Sequence, residues 1–163
     1  MSSPDPRRPP SAGVSALLAL ALATIGFFAL AVFGLGALSF ATDVDIIAVT
    51  DLGQGPGIIG MAAAVGVFAL SLWFAVRPAR PSFFSVPTVA ILTGLVHLAA
   101  VWIAVLLGTG DLIVSTAVAG DLVRGGASAV LVLSAAVASW SGVALRRTRA
   151  QHPRWPWEEH GDE

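Results

Sequence analysis

The chain has 163 residues, 56% of them hydrophobic and 12% charged, with a mean hydropathy of +0.83. Soluble globular domains carry about 25% charged residues, so too few charges are present here to coat a water-soluble core. That balance argues against an ordinary cytosolic enzyme, a disordered chain and a nucleic-acid binder. Nine basic and ten acidic groups leave a net charge of −1, which gives a polyanionic partner no overall attraction. Cysteine is absent, which removes disulfides, thiolate metal sites and thiol nucleophiles. Every basic side chain is Arg, and Asn, Lys and Tyr do not occur; this bias fits a GC-rich bacterial genome.

Four stretches carry no charge: 9–42, 52–76, 81–110 and 125–145. A hydrocarbon core about 30 Å thick needs roughly 20 apolar residues at 1.5 Å per residue, and each stretch is long enough. In chain order, Pro9 and Pro10 keep the chain extended and Ser11 is placed to cap a first span over 13–40. Arg7 and Arg8 precede it as a signal peptide's basic region would, but the apolar run far exceeds the usual 7–15 residues. The reading is therefore a retained helix long enough to tilt. Asp43 and Asp45 end it, because a carboxylate at mid-membrane costs about 2.5–3.5 kcal/mol.

Gly53, Gly55, Pro56 and Gly57 turn the chain into a second span over 57–76. Arg77, Pro78, Arg80 and Pro81 stop it and reverse the chain. A third span covers 86–107 and is released by Gly108 and Gly110. Gly125 and Gly126 open a fourth over 127–145, closed by Arg146 and Arg147. The expected fold is an all-α integral membrane bundle of four antiparallel helices, two hairpins with short loops. Residues 1–12 and 146–163 would be cytoplasmic segments on either side of a 13–145 membrane domain.

Orientation follows from arginine placement. With both termini in the cytoplasm, eight of the nine arginines are inside and only Arg124 is outside, while Asp43, Asp45, Asp51, Asp111 and Asp121 face outward. The expected location is the cell membrane. The two outer loops share a cadence, Asp45-Ile46-Ile47 to Asp51-Leu52-Gly53 and Asp111-Leu112-Ile113 to Asp121-Leu122-Val123. A tandem duplication would produce that pattern, and so would convergence of outer loops on Asp and Gly. Both loops are apolar enough between their acids to lie as short helices on the outer leaflet. Small residues mark close helix approaches at Gly26, Gly34 and Gly36, at Gly60, Ala63 and Gly66, and at Ser134, Ala138 and Gly142. Trp73, Phe83, Phe84 and Trp140 fall where interfacial rings anchor spans.

His97 is the only titratable side chain inside a span, and an intramembrane ionisable group invites a functional reading. Thr93 lies one turn earlier on the same face, and Trp102 on a different one. The two could line a transport path; the more ordinary reading is a neutral core histidine bonded to Thr93 or to a neighbouring carbonyl. No second charged group at membrane depth completes a proton relay. The outer acids match no calcium loop. Nothing pairs a nucleophile with a base, so no catalytic residue, cofactor or metal site is expected.

The segment after the fourth span carries Arg146, Arg147, Arg149 and Arg154 with Trp155 and Trp157, then Glu158 and Glu159. Its arginines can rest on anionic headgroups, or its Trp-Pro-Trp can dock a protein partner. The run His152 to Glu158, together with the Asp43–Ile47 start of the first outer loop, resembles small uncharacterised four-span membrane proteins of actinobacteria. That resemblance implies a location and an architecture, with no activity attached. The expected role is a non-catalytic accessory or envelope component acting through helix–helix contacts; the expected partners are membrane lipids and a membrane protein or another copy of the chain, with no nucleic acid. The runner-up is a small oligomeric transporter or channel with His97 on its path.

Overall fold

The computed structural model describes residues 14–43, 53–78 and 81–148. Among them are five helices and no strand: α1 (Ala16–Thr42), α2 (Gly55–Val76), α3 (Ser85–Thr109), α4 (Leu112–Arg124) and α5 (Ala127–Arg147). Four of these, α1, α2, α3 and α5, are long and apolar enough to cross a membrane; the first three lie within charge-free stretches, and α5 overruns the fourth by Arg146 and Arg147. The chain is an all-helical bundle.

The helix ends have local causes. Ser15, rather than Ser11, caps α1, its hydroxyl accepting from the Leu18 N–H at 3.2 Å; Ser11 lies outside the described residues. Asp43 closes α1 in the left-handed region at φ 52°, a conformation that Asp tolerates better than most non-glycine residues. Pro56 sits in the first turn of α2, where its missing N–H costs nothing. Gly110 ends α3 at φ 69° and Gly126 precedes α5 at φ 86°; a side chain would strain either position.

The four long helices form a ring in the order α1, α2, α3, α5, with consecutive members antiparallel. Contacts fix the registers. Phe27 of α1 stacks on Phe68 of α2 with centroids 4.5 Å apart. Gly34 faces Val130, Gly94 faces Val132, and Gly142 faces Ala23 and Leu72. The buried faces recur at four-residue spacing: Ala19, Ala23, Phe27 and Ala31 in α1, and Gly60, Ala64, Phe68, Leu72 and Val76 in α2. These are the i±4 ridges along which helices interlock. With lipid as apolar as any side chain, such close packing is what holds the spans together.

Those registers sort the small-residue positions. Ser134, Ala138 and Gly142 are all buried inside the bundle. In α2 Gly60 faces α3, Ala63 is half-buried, and Gly66 has open space around it. Positions 60 and 66 are six residues apart, about 240° around a helix of 3.6 residues per turn, so they never shared a face. Gly34 packs inward in α1, whereas Gly26 and Gly36 meet nothing.

The α3–α5 connection is α4, a helix as the composition allowed; the α1–α2 connection, residues 44–52, lies outside the described residues. Rather than lying free on a surface, α4 closes one end of the bundle. Its Leu122, Val114 and Val118 pack with Val101 and Val105 of α3, Leu35 and Leu38 of α1, and Ala127 of α5. The reason is a step in helix length. Gly94 is level with Val132, so antiparallel α5 begins level with about residue 99 of α3, while α3 runs on for roughly another 15 Å at 1.5 Å per residue. The α4 helix fills that step. A larger core built on Phe27, Phe68, Leu72 and Leu131 occupies the rest of the bundle.

Candidate functional site

The inward ladder of α3 runs Val89, Thr93, His97, Val101, Val105. Its upper valines belong to the core shared with α4 and its lower one to the larger core, so Thr93 and His97 lie at the junction of the two. Thr93 is fully buried and donates its hydroxyl proton to the Val89 carbonyl of its own helix at 2.7 Å. The bond from His97 to Thr93 that the sequence allowed is therefore not the one that Thr93 donates. His97 is 4% exposed, and its Nδ1 has no hydrogen-bond partner among the described residues. Its ring fits because residue 60 of α2 has no side chain: a Cβ there would lie 3.1 Å from His97 Nε2 and would collide with Val101 Cγ2. Gly60 is the residue that sequence reading missed as His97's partner, because it was grouped with Gly66 on the wrong spacing. Its true register, four residues before Ala64 and eight before Phe68, was there to be read.

Trp102 points away from this ladder, and its indole N–H donates to Thr116 Oγ1 of α4 at 3.4 Å. No cluster of three or more His, Cys, Asp or Glu residues occurs among the described residues. Asp111 caps α4, accepting from Ile113 N at 2.7 Å and Val114 N at 3.3 Å. Asp121 meets Arg124 at 3.5 Å, both well exposed. These two acids are thus engaged locally, while Asp45 and Asp51 lie outside the described residues.

At the opposite end, adjacent arginines have unlike surroundings. Arg146 reaches inward: its Nε donates to the Val76 carbonyl at 3.1 Å and its Nη1 to the Val14 carbonyl at 2.8 Å. One guanidinium thereby ties the last turn of α2 and the segment before α1 to α5. Arg147 is exposed and sits over the Phe83 ring, its Cζ 4.9 Å from the centroid. Phe83 in turn lies 6.2 Å from the ring of Trp140. Arg149, Arg154, Trp155 and Trp157 lie outside the described residues. Arg77 is exposed at this same end, and Arg124 at the other.

A family model matches residues 13–163 of the chain, and the chain accordingly belongs to that family, the family of unknown function DUF6121. No curated protein matches the chain, and no solved structure does. An unknown-function family is what the resemblance in the tail implies, and the bundle makes this member a chain with four membrane-span-capable helices.

Proposed function

We propose that this DUF6121 member is a non-catalytic component of a bacterial cell membrane that works by packing its outer helix faces against another membrane protein. The observation that carries the reading is the division of its small residues. Those that the bundle needs, Gly34, Gly60, Gly94 and Gly142, are filled by the protein's own neighbours, while a Cβ at half-buried Gly26 or at exposed Gly36 or Gly66 would have nothing within 4 Å. Outward glycines among apolar side chains let a foreign helix approach closely. The polar ladder gives the transport reading less support, since Thr93 and His97 are buried against the protein's own helices and not turned outward to a shared axis.

Both termini are assigned to the cytoplasm, on the positive-inside rule. The end bearing Arg77, Arg146 and Arg147 faces in, and the end bearing Asp43, Asp111 and Asp121 faces out. Purification in mild detergent tests the role. A stoichiometric membrane partner, present with wild type and lost with Gly26→Leu or Gly66→Leu at unchanged thermal stability, is the expected result. A lone protein that supports a pH-dependent flux in liposomes, abolished by His97→Gln, would overturn it in favour of transport.

A further inference from the structure

The two arginines that close α5 differ in what their donors do. Those of Arg146 are spent on the Val76 and Val14 carbonyls. Arg147 has only the Phe83 ring: among the described residues no acceptor takes any of its donors and no carboxylate pairs with it. The described acids Asp43, Asp111 and Asp121 are all at the far end of the bundle. A cation with no counter-ion among the described residues, resting on an aromatic face at the end of an apolar span, is complementary to a phosphodiester at the depth where headgroups begin.

The rings extend this site along the membrane normal. Trp140 lies two turns before Arg147 on α5, with Phe83 between its ring and the guanidinium. Trp140 is 56% exposed and the adjoining Phe84 is 92% exposed. The sequence Trp140, Phe83, Arg147 thus passes from an exposed apolar ring to an exposed charge, the order in which a lipid passes from acyl chain to phosphate. The aromatic contact also holds the long Arg side chain near one position, so less rotamer freedom is lost when it takes a ligand.

We infer that Arg147, Phe83 and Trp140 form a seat for one anionic phospholipid, with the phosphate on Arg147 and the acyl chains along the two rings. The seat rests on the membrane location but not on the partner proposed above, so either can fail alone. Its ligand is a phosphate carried on a glycerolipid and not free phosphate, because two of its three residues are apolar.

Native mass spectrometry of the full chain, from micelles with equal phosphatidylglycerol and phosphatidylcholine, tests this. Wild type should retain one phosphatidylglycerol in preference to phosphatidylcholine. Removing one interfacial charge should cut that preference about fivefold, so Arg147→Gln should show this loss and Arg77→Gln, an exposed arginine at the same end with no ring beneath it, should not. Phe83→Leu should weaken retention while Phe83→Trp preserves it. Equal loss in the Arg77 and Arg147 variants would overturn the seat in favour of diffuse charge. So would the absence of any phosphatidylglycerol preference in wild type. Displacement of the lipid by millimolar inorganic phosphate would overturn the lipid as its occupant.

Discussion

Arg146 and Arg147 should differ sharply in what they contribute to stability. Arg146 donates to Val76 O of α2 and to Val14 O ahead of α1, and so joins three chain segments. Val76 is the last residue of α2, where a helix leaves carbonyls without an intrahelical donor. A hydrogen bond from a charged donor contributes about 1.5–3 kcal/mol, and the half-buried guanidinium places both bonds toward the lower end. Arg146→Met should therefore cost about 3 kcal/mol, roughly a hundredfold in the folded-to-unfolded ratio. Arg146→Lys should recover about half of it, since a compact ammonium replaces a fork that reaches two carbonyls. Arg147→Met removes only an exposed cation–aromatic contact and should cost less than about 1 kcal/mol. Reversible unfolding in mixed micelles, followed by circular dichroism, measures all three. Equal losses at the two positions would refute the assignment of the clamp to Arg146.

The α2–α3 crossing should be as sensitive to volume at residue 60. Gly60→Ala should cost about 1–3 kcal/mol because its Cβ meets Val101 Cγ2, and Val101→Ala in the same chain should return part of that loss in a double-mutant cycle. Gly26→Ala, with open space around it, should leave unfolding within about 0.5 kcal/mol of wild type. Loss of the Asp111 cap should loosen α4 alone: Asp111→Ala should cost about 1 kcal/mol and raise amide exchange in 112–124 without touching α1 or α2. His97→Leu should leave thermal stability unchanged or slightly raised, because the buried Nδ1 has no partner to lose; a drop of several degrees would show that the imidazole holds a bond through water.

The all-helical fold and the stretches its spans occupy were legible from charge-free runs, because a bilayer admits few alternatives to a helix of about 20 residues. The α4 helix was half legible. Val114, Val118 and Leu122 already stood at four-residue spacing, but Asp111, Asp121 and Arg124 hid its burial against the bundle. What could not be read were facts of register. That Arg146 turns inward and Arg147 outward depends on how α5 is rotated, and two adjacent arginines carry no mark of it. The same holds for His97, which reads as a lone polar residue until Gly60 is placed opposite it across α2 and α3.

Four-residue ladders run through each long helix, and His97 occupies a rung where the others in α3 are valines and one threonine. A histidine on that rung cannot be reached from lipid and has its neighbours chosen by the bundle: a glycine on α2 that yields space and a threonine bonded elsewhere. The outer faces are the reverse, rich in exposed Leu, Ile, Val and Phe and with open space around Gly26, Gly36 and Gly66. If activity resided in the interior, polar residues would be expected to line a continuous route from one end to the other. Above and below His97 on its ladder stand Val101 and Val105, then Val89, each at most 3% exposed, so the polar row that α3 itself offers is limited to Thr93 and His97. Among the described residues, the outer face with its open glycines and the arginine end with its rings are surfaces where the chain can meet something else.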